Sequence, residues 1–332
     1  MKGFEDVIGH EQIKEHLQNA LRNRRIYHAY ILNGEDGAGK NLLAAAFAKA
    51  LVCEAGYGDA CNMCDACKLF DAGTHPDVRY VTHETPASIG VSDIRSQIVG
   101  DIMLKPYRGR RKVYIIDEAE KMTPQAQNAL LKTIEEPPEY AVILLLTNNV
   151  ELFLPTVRSR CICLDLRPVS QEQITKLLME KYQVPDYNAR ICAAYSQGNT
   201  GKAINMATSE KFHEMHDYLV NILRNIQDME VYEVVDDFHM KISGRQEMLD
   251  VLDLMTVWFH DVLILKATAD VNQIVYQDEY RFLLKQTYKP SYGDISEILD
   301  AIQKAGVRIR ANVNRDTTIE LLISTIKEKL DD

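Results

Sequence analysis

Three short apolar runs in the first half of the chain lack the polar–apolar alternation of a half-buried strand. They are residues 29–32, 113–116 and 141–146. Helix-forming stretches such as residues 41–52 lie between them, and Thr123 with Pro124 supplies an N-cap and a first-turn proline for a helix that ends before Pro137. Fully apolar strands that alternate with helices are typical of a parallel sheet covered on both faces. The first half therefore predicts an α/β domain.

The pattern changes after about residue 165, where apolar positions recur at helical spacing and no strand is evident. Pro168 opens a short helical segment, and a longer helical region follows it. We therefore predict a fold that is α/β and then all-α. The predicted domains are an α/β domain at 1–166, a small helical domain at 167–207 and a larger helical domain at 208–332.

Composition and charge narrow the class of protein. The chain has 332 residues, of which 46% are hydrophobic and 26% charged, as in a globular protein of two or three domains. No apolar run approaches the ~20 residues of a membrane span, and the polar first residues lack the apolar core of a signal peptide. We therefore expect a cytoplasmic protein with no membrane partner. The net charge of −10 repels phosphate, so nucleic-acid contacts are expected only from a local basic patch or from partner subunits.

Residues 34–41, GEDGAGKN, follow the first apolar run and match most of the phosphate-binding pattern G-x-x-x-x-G-K-[ST]. Three glycines let the backbone wrap closely around an anion: Gly34, Gly37 and Gly39. Lys40 adds a positive charge at the N-terminus of the next helix. Asn41 stands where the pattern has the hydroxyl that binds Mg²⁺. The loop alone leaves two interpretations open, a nucleotide site and a glycine-rich turn without a ligand.

The ends of the other two apolar runs support a nucleotide site. The second run ends in Asp117, which would orient Mg²⁺, and Glu118, which would polarise a water. Asn148 follows the third run beside Asp117, where a polar side chain would hold the attacking water in an active ATPase. Loop and strand together predict a P-loop nucleotide fold. They do not predict hydrolysis, and binding of ATP or ADP with Mg²⁺ is doubtful because of Asn41.

Four of the seven cysteines lie within fifteen residues. They are Cys53, Cys61, Cys64 and Cys67, of which the last three have C-x₂-C-x₂-C spacing. Four thiolates suit a tetrahedral structural Zn²⁺ with bonds of about 2.3 Å, and a cytosolic cluster of this kind is more often a metal site than a set of disulfides. We predict a structural zinc module at about 53–67. An iron–sulfur cluster and free buried thiols are the alternatives.

Several segments resemble the clamp-loader branch of the AAA+ ATPases. They are residues 7–21, 28–40, 117–149, 154–161 and 312–325. The cysteines placed after the P-loop helix narrow the resemblance to the clamp loader of bacterial DNA polymerase III. The resemblance covers essentially the whole chain. The resemblance implies an AAA+ domain with an inserted four-cysteine zinc module, a helical lid and a C-terminal collar. It also implies a pentameric ring with delta and gamma/tau motor subunits, which places a sliding clamp on primed DNA.

Two subunit types of that family share the layout, the ATP-hydrolysing motor type (gamma or tau) and the non-motor, stator-like delta-prime type. Motor subunits keep Ser or Thr after the P-loop lysine, and their lid motif G-S-x-R-x-A carries an arginine that senses the γ-phosphate. This chain has Asn41 and Gly201 at those positions. We therefore expect the delta-prime type without intrinsic activity, with the motor type as the alternative.

The arginine of the family's Ser-Arg-Cys triplet points into the ATP site of the neighbouring subunit. The resemblance thus implies that Arg160 is an arginine finger in trans, a contact that contributes about 10³–10⁵ in rate in other phosphoryl-transfer systems. Arg158 is expected to be structural. The basic run 108–112 suggests either a DNA or subunit contact or a solvated loop, and we favour the loop, because four charges in an acidic protein need no ligand.

Overall fold

The computed structural model describes residues 3–83, 85–242 and 244–331. The chain forms two compact units. The first runs to Ile174 and includes Gly198–Lys202, and the second comprises Thr175–Gln197 and the chain from Ala203 onward. The division into three domains stays a prediction. Within the described ranges, no helix has both the length and the apolar character needed to cross a membrane.

A five-stranded parallel sheet forms the centre of the first unit. Its strands are β1 (Ala29–Asn33), β2 (Val78–Tyr80), β3 (Lys112–Ile116), β4 (Ala141–Thr147) and β5 (Ile162–Asp165). Their order is β2-β3-β4-β1-β5, and each neighbouring pair is parallel. The three predicted apolar runs are the inner strands β3, β4 and β1, which confirms the α/β prediction.

Helices cover both faces of this sheet. They are α1 (Glu11–Arg22), α2 (Lys40–Val52), α3 (Asp65–Asp71), α4 (Val91–Ile94), which a π-helical turn at Arg95–Val99 continues, α5 (Pro124–Glu135) and α6 (Pro155–Arg158). Successive strand residues point to opposite faces. Leu32 of β1 therefore packs in the same apolar cluster as Phe47 of α2, whereas Ile31 packs with Leu130 of α5 on the other face. The α5 helix begins as predicted, with the Thr123 hydroxyl accepting from the backbone N–H of Ala126 at 3.2 Å.

The rest of the described chain is helical, which confirms the all-α prediction. Its helices are α7 (Gln171–Tyr182), α8 (Asp186–Tyr195), α9 (Thr200–Ala207), α10 (Glu210–Asn225), α11 (Val231–Lys241), α12 (Arg245–Thr268), α13 (Tyr280–Lys285), α14 (Tyr292–Arg310) and α15 (Arg315–Asp331). In the second unit α12 packs against α14, which packs against α15. The buried indole of Trp258 in α12 donates to Gln286 Oε1 at 2.8 Å, so this large apolar ring leaves no polar atom unpaired.

Candidate functional site

The glycine-rich loop connects the carboxyl end of β1 to the N-terminus of α2, as a phosphate loop requires. Gly37 and Gly39 have φ angles of 86° and 98°, which glycine adopts without strain. The Lys40 side chain is only 7% exposed. Its ammonium donates to the carbonyls of Gly34 and Glu35 at 2.6 and 3.0 Å, and it lies 3.2 Å from Asp36 Oδ1. The charge that would bind a phosphate is therefore held by oxygens of its own loop.

The structure brings Asn41 and Asp117 together, although they are far apart in sequence. Asn41 Nδ2 donates to Asp117 Oδ2 at 3.0 Å, and the other oxygen of Asp117 accepts from the backbone N–H of Glu118 at 2.9 Å. In this arrangement the amide of Asn41 offers hydrogens to the carboxylate. The two side chains at the predicted Mg²⁺ position are thus hydrogen-bonded to each other, and both are exposed.

The remaining predicted nucleotide-site residues lie at the same edge of the sheet. Glu118 has a left-handed φ of 48°, and its carboxylate pairs with Lys121 at 2.7 Å. Asn148 is exposed directly after β4. The last residue of that strand, Thr147, accepts from the Gly34 N–H at 3.0 Å and so joins β4 to the phosphate loop. The predicted nucleotide-site residues therefore lie together at the carboxyl ends of β1, β3 and β4.

Residues 198–202 close over the phosphate loop. The Gly201 N–H donates to the Gly37 carbonyl at 2.9 Å, and Asn199 Nδ2 donates to the Asp36 carbonyl at 2.7 Å. A Cβ atom at position 201 would lie 2.7 Å from Gly37 Cα, closer than real Cβ atoms approach. An arginine side chain at this position would therefore require the segment to move. Sequence reasoning identified Gly201 as a departure from the family but missed Asn199, which no local pattern marks.

Arg160 follows α6 and is partly exposed. Its Nη1 donates to the Thr156 carbonyl at 2.9 Å, and its Nη2 lies 3.1 Å from Glu135 Oε1, while 40% of the side chain remains exposed. Arg158 pairs instead with Glu151. Glu135, at the end of α5, was missed by sequence reasoning because its contact with Arg160 depends on the fold.

The four clustered cysteines converge on one point. Their sulfur atoms all lie within 4.8 Å of one another: Cys53, Cys61, Cys64 and Cys67. Backbone N–H groups of residues 61, 64 and 67 donate to three of these sulfurs at 3.3 to 3.4 Å. Such donors favour the thiolate, and those from Met63 and Cys64 lower the pKa of Cys61 to about 6. Four sulfurs at this spacing fit one tetrahedral ion such as Zn²⁺.

The family description "DNA polymerase III, delta subunit" matches residues 9–170. The chain is 34% identical over 258 residues to the DNA polymerase III subunit gamma of Buchnera aphidicola subsp. Acyrthosiphon pisum, covering 74% of this chain and 70% of that one. It belongs to the clamp-loader family of DNA polymerase III subunits. Within this clamp-loader family, the delta' subunit of Bacillus subtilis is 27% identical over 318 residues, which cover 94% of each chain.

Another member of the clamp-loader family matches over a smaller share of its own length. The B. subtilis subunit tau is 29% identical over 294 residues, which are 82% of this chain and 52% of tau. Both delta' and gamma/tau chains are thus among the relatives. A solved gamma subunit-related protein from Thermotoga maritima aligns with a TM-score of 0.42 and 20% identity, covering 96% of this chain and 99% of that one.

Proposed function

We propose that this chain is the delta-prime-type, non-motor subunit of the clamp loader. It completes the pentameric ring with delta and gamma/tau subunits and helps to place the sliding clamp on primed DNA. The observation that carries the proposal is the 3.0 Å hydrogen bond from Asn41 Nδ2 to Asp117 Oδ2. Because Asp117, which would orient Mg²⁺, accepts from the residue that replaces the Mg²⁺-binding hydroxyl, the site lacks the arrangement that a motor subunit needs.

Two further contacts support a phosphate loop at which ATP is no longer hydrolysed. Lys40 is surrounded by loop oxygens, and a phosphate would have to displace them to reach the ammonium. Gly201 packs on Gly37 where the motor subunits carry their lid arginine. A nucleotide would therefore have to break contacts on two sides of the loop. We infer that the loop is retained as part of the fold.

The proposal assigns Arg160 to the ATP site of a neighbouring motor subunit, as a finger acting in trans. Glu135 and the Thr156 carbonyl hold one side of its guanidinium, and the exposed part remains available to a partner. A planar guanidinium can bridge two phosphate oxygens, which a lysine cannot do with the same geometry. The four-cysteine module would hold Zn²⁺ structurally, and the helical lid and collar domains would join the subunit to the ring.

The test of this assignment is Arg160→Ala in a reconstituted clamp loader. We expect ATP turnover at the neighbouring site to fall by about 10³-fold, because the transition-state charge loses its partner. Clamp loading should fall with it, while ring assembly, measured by gel filtration, stays intact.

Arg158→Ala is the matched control, since it removes the same charge two residues away and only breaks the pair with Glu151. Equal turnover for the Arg160 variant and the wild-type ring would contradict the finger. A second candidate function, an ATP-hydrolysing motor subunit, is favoured by the 34% identity to the Buchnera gamma subunit. It predicts turnover by the purified chain alone.

A further inference from the structure

Two arginine-rich segments meet at a cleft in the first unit. One is RNRR at 22–25, where α1 ends, and the other is RGRR at 108–111, just before β3. The cleft has a volume of 570 Å³ and is lined by four arginines: Arg24, Arg108, Arg110 and Arg111. It lies at the amino ends of β3 and β4, whereas the phosphate loop follows a carboxyl end. In a parallel sheet these are opposite edges, so the cleft is separate from the nucleotide site.

A buried carboxylate fixes the second arginine segment. Asp77 is only 2% exposed. Its oxygens accept from the backbone N–H groups of Tyr107, Arg108 and Gly109, the last two at 2.8 and 2.9 Å. The backbone of this segment is therefore anchored to the sheet, which reduces the backbone entropy lost when a ligand binds.

Two of the four cleft arginines have no counter-charge in the described part of the chain. Arg24 and Arg110 are exposed and form neither an ion pair nor a side-chain hydrogen bond there. Arg108 lies 3.4 Å from Asp65, and Arg111 donates to the backbone carbonyl of Glu139. The arrangement thus leaves charge available for an anion.

The surroundings of the arginines define the chemistry of that anion. Glu54 and Glu139 also line the cleft and Asp65 pairs with Arg108, so the four positive charges exceed these negative ones by one. Lys112 is not part of the patch, because its ammonium pairs with Asp101 at 2.9 Å in the interior. A modest positive excess suits a ligand that presents a few phosphates in sequence, rather than a densely charged duplex surface.

The cleft also offers apolar surface beside its charges. Leu21, Ile26 and Leu51 contribute to its lining, together with Tyr140. Guanidinium groups bind phosphate oxygens, and aromatic or apolar walls accept bases. The volume falls within the ~300–1,000 Å³ of small-ligand sites, which accommodates a nucleotide unit but not a double helix. We infer that this cleft binds single-stranded DNA, with Arg24 and Arg110 on its phosphates, in place of the solvated loop favoured from the sequence for residues 108–112.

The experiment measures binding of a fluorescent oligothymidylate of about 20 nucleotides, enough to span one such site, to the full chain by anisotropy over a range of salt concentrations. The test variant is the double substitution Arg24→Ala/Arg110→Ala, chosen because both side chains are exposed and unpaired within the described residues. The control is Arg190→Ala/Arg308→Ala, which makes the same change of net charge in the second unit. We expect about tenfold weaker binding for the test variant and wild-type binding for the control. The slope of log K against log salt should fall by about 1.4, the value for two lost phosphate contacts on a single strand.

Direct crosslinking locates the ligand. An oligonucleotide that carries 5-iodouracil should crosslink to Tyr140 on irradiation, and mass spectrometry should find the adduct there. The proposal is overturned if the wild-type chain does not bind the oligonucleotide at low salt, or if both double variants weaken binding equally. It is also overturned if a poly-glutamate peptide binds the cleft more tightly than DNA, since the ligand would then be an acidic protein segment. These results leave the assignment of Arg160 unaffected.

Discussion

The phosphate loop and the four-cysteine cluster are two candidate ligand sites of the first unit, and they differ in how their polar atoms are satisfied. In the loop, Lys40 contacts three oxygens of neighbouring residues and Asn41 pairs with Asp117. In the cluster, four sulfurs lie within 4.8 Å of one another, and three of them accept backbone N–H groups, which favour negative charge. The side chains of Lys40 and Asn41 are therefore paired within the protein, whereas thiolates at this spacing repel one another unless a cation lies between them.

This difference shows why motif strength alone does not reveal whether a site still needs its ligand. Both sites carry specific sequence patterns, yet the loop lysine is paired within the protein, whereas burial raises the pKa of the Cys67 thiol, so a full set of four thiolates requires a cation. The hydrogen-bond and ion-pair partners of each polar atom distinguish a site that still binds its ligand from one that is retained only as part of the fold. The following experiments test that distinction, beginning with the largest expected effect.

Removal of the metal should affect the first unit most. We expect one Zn²⁺ per chain by elemental analysis. Chelation should lower the melting temperature by roughly 10 °C or more, because the free energy of binding a structural zinc contributes directly to the free energy of folding. Cys67→Ser should have the same effect, since it removes one of the four sulfurs. Cys163→Ser, which changes an exposed cysteine outside the cluster, is the control. Iron in the purified protein, or unchanged melting after complete chelation, would contradict the zinc site.

A carboxylate in the second unit extends the comparison to a buried acid. Asp261 is fully buried, one of its oxygens accepts from Val275 and Tyr276 N–H groups, and the other has no partner among the described residues. Burial raises the pKa of Asp261 from 3.8 to about 6, against the opposing effect of the two hydrogen bonds. The folded state therefore binds the proton more tightly than the unfolded state. The resulting stability is fully present below pH 3.8 and is lost as pH rises through about 6.

Asp261→Asn isolates this contribution, because the amide keeps an acceptor for the two N–H groups and does not titrate. We expect the unfolding free energy of wild type, relative to this variant, to be higher at pH 5 than at pH 7.5. The whole pKa shift corresponds to at most roughly 3 kcal/mol, of which roughly 1.4 kcal/mol is lost between pH 5 and pH 7.5. Urea unfolding at the two pH values measures it, and parallel behaviour of the two proteins would show that Asp261 titrates normally.

Gly201→Ala directly tests the packing of residues 198–202 on the phosphate loop. The new Cβ would lie 2.7 Å from Gly37 Cα, so either residues 198–202 or the loop must shift. We expect a loss of about 1–3 kcal/mol in the unfolding free energy of the first unit. Gly306→Ala is the matched control: it lies inside α14, its nearest neighbour would be 3.6 Å away, and alanine should stabilise the helix. Equal stability changes for both variants would mean that the close approach is not maintained in solution.

The smallest effect is expected for Asn41→Thr. Threonine restores the hydroxyl of the phosphate-loop pattern but leaves Lys40 engaged by loop oxygens and Gly201 packed on Gly37. We therefore expect no ATP turnover by this variant and a change in stability below about 1 kcal/mol. A colorimetric assay of released phosphate measures the ATP turnover of the variant. Turnover by Asn41→Thr would mean that Asn41 is the sole defect of the site.

Much of the first unit could be predicted because its signals are local. The inner strands are continuous apolar runs, the α5 helix has its N-cap and proline, and the cysteines that converge are close in sequence. The edge strands β2 and β5 were missed. Val78–Tyr80 is only three residues long, and Ile162–Asp165 alternates half-buried and exposed positions. Neither gives the apolar run by which the inner strands were recognised.

The internal pairing of the phosphate-loop residues could not be predicted, because it depends on contacts between segments that are distant in sequence. Nothing in the sequence around Gly201 reveals that its backbone packs against Gly37. Likewise, the pairing of Asn41 with Asp117 requires the carboxyl end of β3 to lie beside the start of α2. Sequence comparison within the family indicated which residues depart from the motor type, and the fold supplies the physical consequence.

The most direct test of the non-motor assignment is Mg-ATP binding and turnover by the purified chain alone. Equilibrium dialysis measures binding, a phosphate-release assay measures turnover, and Lys40→Ala is the control for activity at the phosphate loop. The proposal predicts no turnover above background, with function resting on Arg160 acting in trans. Turnover by the wild-type chain that Lys40→Ala abolishes would contradict it and identify a motor subunit.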